Sequence, residues 1–206
     1  MKKTKIVTSI GPASSSVEVF EKMVEAGANV ARINFSHATI EERETVVSTV
    51  KKVRKRTNKN IAILYYTKGP EFRSGVAKED GISLVSGKTI KIVKEDVIGN
   101  EERFTVNHKT AIDALQIGDI VLLENGLMKI EVIEKADDYV NCKIINGGIL
   151  FSKKSLSAPG VDLNIPFISD IDREDIIYAC QHEGDYLAAS FVESAQNIYD
   201  VREILK

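Results

Sequence analysis

Three patterns in the amino-acid sequence point to an α/β chain forming part of a TIM (β/α)8 barrel. The barrel part holds about four βα units, and a small all-β barrel or sandwich is inserted into it. Continuous apolar runs alternate with amphipathic stretches in residues 1–68 and again from about residue 168. Between them, short and partly alternating strands are separated by glycine turns. The runs at both ends lack polar alternation, as strands covered on both faces do. The expected division is residues 1–69 as the first part of the barrel domain, 70–167 as the insertion and 168–206 as the barrel's continuation.

Residues 5–8 (KIVT) form a β-branched run ended by Gly11-Pro12. Ser14, Ser15 and Ser16 offer N-cap oxygens to a helix whose apolar residues Val17, Phe20, Met23 and Val24 recur at helical spacing. Gly27 stands where a glycine would end that helix. Residues 29–35 (NVARINF) read as the second strand. Thr39 then caps a helix with Glu41 and Glu42 in its first turn and Lys51, Lys52, Arg54, Lys55 and Arg56 near its end, an order that complements the macrodipole. Residues 61–66 (IAILYY) form the third strand, and the crossovers have the length a βαβ unit needs. In the insertion, strands are expected at 82–85, 89–93, 120–123, 128–133 and 139–145. Helical rhythm returns at 169–182, followed by a fourth strand at 186–192 (YLAASFV) and a helix from about Ala195. Lys206 falls within that helical pattern without a capping signal. An eight-stranded barrel usually takes about 250 residues, so the array is expected to be unfinished.

Composition excludes several classes. The 206 residues hold 28 Lys+Arg against 30 Asp+Glu, a formal charge of −2, so no global charge draws the chain to nucleic acid or an anionic membrane. Cys142 and Cys180 stand alone, which excludes a disulfide scaffold and a thiolate zinc site. Residues 1–4 lack the features of a signal peptide, and no apolar run approaches the roughly 20 residues that span a bilayer. A soluble, cytoplasmic protein is expected.

Functional side chains of parallel α/β folds gather at the carboxyl ends of strands. Residues 32–37 (RINFSH) close the second strand, residues 67–73 (TKGPEFR) close the third, and Ser190 lies in the fourth. Arginines, a lysine, an amide and hydroxyls in these places suit an oxyanion such as phosphate, and the neutral oxygens also suit a hard cation. Each has a plainer reading. Arg32 could be a strand-face charge, His37 a loop or capping residue, Lys153-Lys154 a solvated pair, and Pro70 a hinge.

KIVTSIGPAS, NVARINFSH, TKGPEFR and AASFV, in that order and spacing, resemble the N-terminal part of pyruvate kinase from Lys5 to the terminus. The resemblance implies that the insertion is a β-barrel lid domain entered through the TKGPE hinge. It implies substrate-binding roles for Arg32, at the transferring phosphoryl group, and Ser190, at the phosphoenolpyruvate pocket. Nucleotide-binding roles are implied for Asn34, Phe35, Ser36, His37, Arg73 and Lys154. Asn34, Ser36 and Thr67 match potassium ligands, and Glu71 matches the glutamate of potassium-dependent members. The implied partners are ADP/ATP and phosphoenolpyruvate/pyruvate, with Mg2+ and K+ as cofactors, in a glycolytic kinase that is usually a homotetramer.

The departures from the family pattern carry expectations of their own. Tyr66 stands where the family has the anionic potassium ligand, and a phenol with an ordinary pKa of about 10 brings no charge there at neutral pH. Ala38 replaces a glycine, residues 155–158 replace a GVNL segment, and Glu124-Asn125 replaces paired aspartates. The family's catalytic lysine, its two acidic magnesium ligands and its assembly domain are expected beyond residue 206, so no catalytic residue is assigned within this chain. The function expected of the parent protein is phosphoryl transfer from phosphoenolpyruvate to ADP. The rival is a non-catalytic truncated fragment or paralogue that retains at most nucleotide or phosphate binding.

Overall fold

The computed structural model describes residues 3–206; Met1 and Lys2, part of the stretch read as lacking a signal sequence, lie outside the described residues. The chain divides into two compact units, Met1–Pro70 with Phe167–Lys206, and Glu71–Pro166. Among the described residues no helix is long and apolar enough to cross a membrane.

The first unit opens with β1 (Ile6–Ser9), a 3-10 turn at Pro12–Ser14, α1 (Val17–Glu25), β2 (Ala28–Asn34), α2 (Ile40–Thr57) and β3 (Ala62–Tyr66). Side-chain caps fix the helix starts. Ser16 Oγ accepts from Val19 N–H, and Thr39 with Glu42 forms a reciprocal capping box at α2. Gly27, at φ +118°, turns the chain out of α1 just past its Ala26 cap. Phe20 and Val24 of α1 and Val46, Val47, Val50 and Val53 of α2 are buried with Ala31, Ile33, Ile63 and Tyr65 of the strands.

The second unit contains β4 (Ile82–Leu84), β5 (Thr89–Val93), β6 (Arg103–Thr105), a one-turn helix α3 (Ala111–Ala114), β7 (Ile120–Leu123), β8 (Met128–Lys135), β9 (Tyr139–Asn146), β10 (Gly148–Leu150) and β11 (Leu156–Ser157). Six of these strands make a sheet in the order β11-β7-β8-β9-β5-β6, and β10 pairs with β4. All pairs are antiparallel except β5 with β6. Its own core gathers Phe104, Leu115, Leu123, Ile130, Ile92 and Ile144. The short strands β6, β10 and β11 and helix α3 carry too little periodicity to be read in advance.

The chain re-enters the first unit through α4 (Asp170–Gln181), β12 (Tyr186–Ala188) and α5 (Ala195–Ile204). The strands of this unit form one parallel sheet in the order β1-β2-β3-β12. Two expectations need correction. The fourth strand stops at Ala188 rather than Val192, because Phe191 takes a left-handed φ of +58° and the Ser190 N–H bonds the Thr67 hydroxyl instead of a strand neighbour. The strands are also not covered on both faces. Burial alternates along β2 and β3, with Ala31, Ile33, Ile63 and Tyr65 against the helices, while Arg32, Asn34, Leu64 and Tyr66 on the other face stay partly exposed.

One buried carboxylate ties together the two ends of the first unit at its chain crossings. Asp172, 3% exposed, accepts from Gly69 N–H at 3.0 Å, from Ser169 N–H at 3.2 Å and from the Ser169 hydroxyl at 2.6 Å. Gly69 itself needs to be glycine. Its φ is +68°, and a Cβ there would meet Phe191 Cδ2 at 3.0 Å and the Ser190 carbonyl oxygen at 3.2 Å. Gly69→Ala is therefore expected to destabilise the first unit by about 1–3 kcal/mol. Gly11→Ala, at an extended φ of −136° with nothing near its Cβ, costs less than about 1 kcal/mol. Urea unfolding of the two variants checks the difference.

Candidate functional site

The carboxyl ends of β2, β3 and β12 lie side by side because Asn34 pairs in register with Tyr66, and Tyr66 with Ala188. That register brings Arg32, Asn34, Tyr66, Thr67 and Ser190 into one neighbourhood. Arg32 lies with its guanidinium carbon 4.0 Å from the centre of the Tyr66 ring, and its Nη1 donates to Ser9 Oγ at 3.3 Å. Its Nε is buried and has no hydrogen-bond partner among the described residues. A partly exposed guanidinium with an unsatisfied donor is suited to take an anionic oxygen. Ser190 is held by a reciprocal pair of bonds, its N–H to Thr67 Oγ1 at 3.0 Å and its hydroxyl to the Thr67 carbonyl at 2.6 Å.

The segment after β2 folds back on Asn34. The Asn34 side-chain oxygen accepts from Ser36 N–H at 3.1 Å, and its carbonyl accepts from the N–H groups of His37 and Ala38. Phe35 turns its ring into the core, stacked on Tyr65 at 5.1 Å, so only its backbone faces the segment's outer side. A cavity of about 740 Å³ lies here, lined by Gly11, Pro12, Asn34, His37, Glu41 and Glu42 among others. Glu41 and Glu42 were legible only as first-turn acids of a helix. Their place at a cavity follows from the turn at Pro12–Ser14 packing nearby, which strand and helix periodicity does not encode.

Potassium does not fit the donor set. Asn34, Ser36 and Thr67 offer neutral oxygens only, and two of them are already engaged, with Ser36 and Ser190 N–H groups. The Arg32 cation sits against Tyr66, where the family pattern has a carboxylate. Among the described residues no group of three or more His, Cys, Asp or Glu is arranged to hold a metal ion.

In the second unit, both expected phosphate ligands are paired internally. Arg73 grips Glu71 with two bonds, at 2.8 and 3.0 Å, and donates Nη1 to the Lys153 carbonyl at 2.9 Å. The bond from Glu71 raises the Arg73 pKa further, so this cation never titrates. Lys154 Nζ lies 2.6 Å from Glu124, and its backbone pairs with Ser74. Arg73 and Lys154 sit on neighbouring segments, bridged by the pairing of Arg73 with Ser155. Burial pushes the Cys142 thiol up to about 12, which leaves it an inert core residue.

Comparison with known proteins bears on the whole chain. The family description "Pyruvate kinase, barrel domain" matches residues 1–206. The chain is 44% identical over 208 residues to a pyruvate kinase of Staphylococcus haemolyticus, and 43% and 42% identical to those of Staphylococcus epidermidis and Staphylococcus aureus. In each case all of this chain is covered, but it spans only 36% of the relative's length. With the match running over the parallel sheet, the Arg32 neighbourhood and the second unit alike, the chain belongs to the pyruvate kinase family.

Proposed function

We propose that this chain is the phosphate- and nucleotide-binding portion of a pyruvate kinase, the enzyme that moves a phosphoryl group from phosphoenolpyruvate to ADP. The observation that carries the reading is Arg32, a strand-end guanidinium with a buried, unsatisfied Nε donor, at the carboxyl edge of a parallel sheet. In the proposed reaction an oxygen of the ADP β-phosphate bonds to phosphorus as the bond to the enol oxygen breaks. The enolpyruvate left behind takes a proton and becomes pyruvate. Such transfer depends on positioning and on neutralising charge at the moving group. Arg32 supplies a fixed positive fork for that charge, held in orientation by Tyr66 and Ser9. Ser190, anchored to Thr67, borders the proposed phosphoenolpyruvate position.

Asn34, Ser36 and His37 shape the proposed nucleotide side, with the backbone of Phe35. Arg73 and Lys154 are proposed ligands for the nucleotide phosphates, which would replace Glu71 and Glu124 as their anionic partners. Exchange of one anion for another keeps the cations neutralised throughout, so the cost of releasing the carboxylates into water is small. Magnesium, the family's Lewis acid, would add charge neutralisation at the phosphates when bound. A homotetrameric, cytoplasmic assembly is proposed for the complete protein on the same family grounds.

Two outcomes test this reading. Purified residues 1–206 are expected to give no measurable pyruvate in a coupled assay with phosphoenolpyruvate, ADP and magnesium, since each missing electrostatic group costs about 3–4 kcal/mol of transition-state stabilisation. Robust ATP formation would show that the chain is a complete catalyst. In a completed enzyme carrying this segment, potassium is expected to give no saturable activation at constant ionic strength, and the Tyr66→Asp variant is expected to acquire it. Equal potassium activation of both forms would contradict the account of Tyr66.

A further inference from the structure

We propose that Arg43 is a positioning residue that sets the backbone of residues 35–38, the segment bearing Ser36 and His37. The proposal rests on the nucleotide reading given above. Arg43 lies on α2, and its guanidinium reaches both ends of that segment at once. Nε donates to the Ala38 carbonyl at 3.0 Å and Nη2 to the Phe35 carbonyl at 3.3 Å. Nη1 bonds Asp175 of α4 at 2.7 Å, and the guanidinium carbon lies 4.3 Å from the centre of the Phe35 ring. Both partners of the ion pair are nearly buried, with side chains 11% and 8% exposed.

Phe35, at the start of the segment, is fixed to β3 by its N–H bond to the Tyr66 carbonyl at 3.1 Å, whereas the bonds made by the N–H groups of residues 36–38 are local. Ser36, His37 and Ala38 all donate to Asn34, so they close a turn without fixing it to the rest of the unit. Arg43 supplies the tether to α4, a contact spanning 132 residues of sequence. It does not line the cavity itself. His37, Ala38, Glu41 and Glu42 do. Three acceptors in three directions require a planar fork, which a lysine ammonium on its flexible stem does not reproduce. Arg43 thus acts on the nucleotide through the geometry of His37 and Ser36.

The test uses the 206-residue chain, with amide hydrogen exchange, thermal unfolding and ADP titration measured on each variant. Removing Arg43 alone strands the Asp175 carboxylate, so the informative variant is Arg43→Leu with Asp175→Leu, which replaces the pair by apolar groups. In it, amides 36–38 are expected to exchange about tenfold faster while Ala31 and Ile33 stay protected and the unfolding midpoint moves by only a few degrees. The ADP dissociation constant is expected to rise about fivefold or more. Arg43→Lys, which keeps the charge, is expected to show the same local loosening. Unchanged exchange at 36–38, exchange that rises across the whole unit together with a large fall in the midpoint, or full rescue by lysine would overturn the proposal. Absence of ADP binding by the unsubstituted chain would sink the nucleotide reading instead, and the exchange data would still decide the role of Arg43.

Discussion

The parallel register of β2, β3 and β12 is the constraint on which the candidate site depends. Side chains alternate along a strand, so a slip of one residue would turn Arg32 and Asn34 toward the helices and carry Ala31 and Ile33 to the open face. The apolar faces forbid that slip. Phe20, Val50, Val53 and Tyr65 bury one side of the sheet, and charges have no place among them. The same hydrophobic burial that stabilises the fold therefore dictates which polar groups stand together at the strand ends. Asp172 and Ser190 then secure the first residues past those ends, by bonds to Gly69 and Thr67.

The two units treat their cations differently. Arg73 and Lys154 are matched by Glu71 and Glu124, partly exposed pairs that contribute little net stability. Among the described residues Arg32 has no carboxylate partner. It leans on the face of Tyr66, which orients a guanidinium without neutralising it. Arg43 is the opposite case, a buried cation satisfied by two carbonyls and a carboxylate, which makes it rigid rather than receptive.

Local signals were readable from the residues. Thr39 with Glu42 in the next turn and the apolar spacing of α1 announce helix starts and buried faces because capping and periodicity are matters of three or four residues. The clustering of Arg32, Asn34 and Thr67 was legible from the rule that strand ends carry function. What escaped depends on distant partners. Nothing near Arg43 in sequence points to Asp175, and nothing near Tyr66 says that its ring will face Arg32 rather than solvent. The end of β12 at Ala188 was hidden too, because the AASFV run continues apolar while Phe191 bends the chain.

The central claim is that Arg32 meets a phosphoryl oxygen with its unsatisfied Nε donor. Selective 15N labelling of arginine side chains, followed by titration of the 206-residue chain with phosphoenolpyruvate, observes that atom directly. The account predicts a saturable downfield shift of the Arg32 Nε–H signal, lost in Arg32→Lys, with the Arg43 and Arg54 signals unmoved. Saturable phosphoenolpyruvate binding that leaves the Arg32 Nε–H signal in place would contradict it.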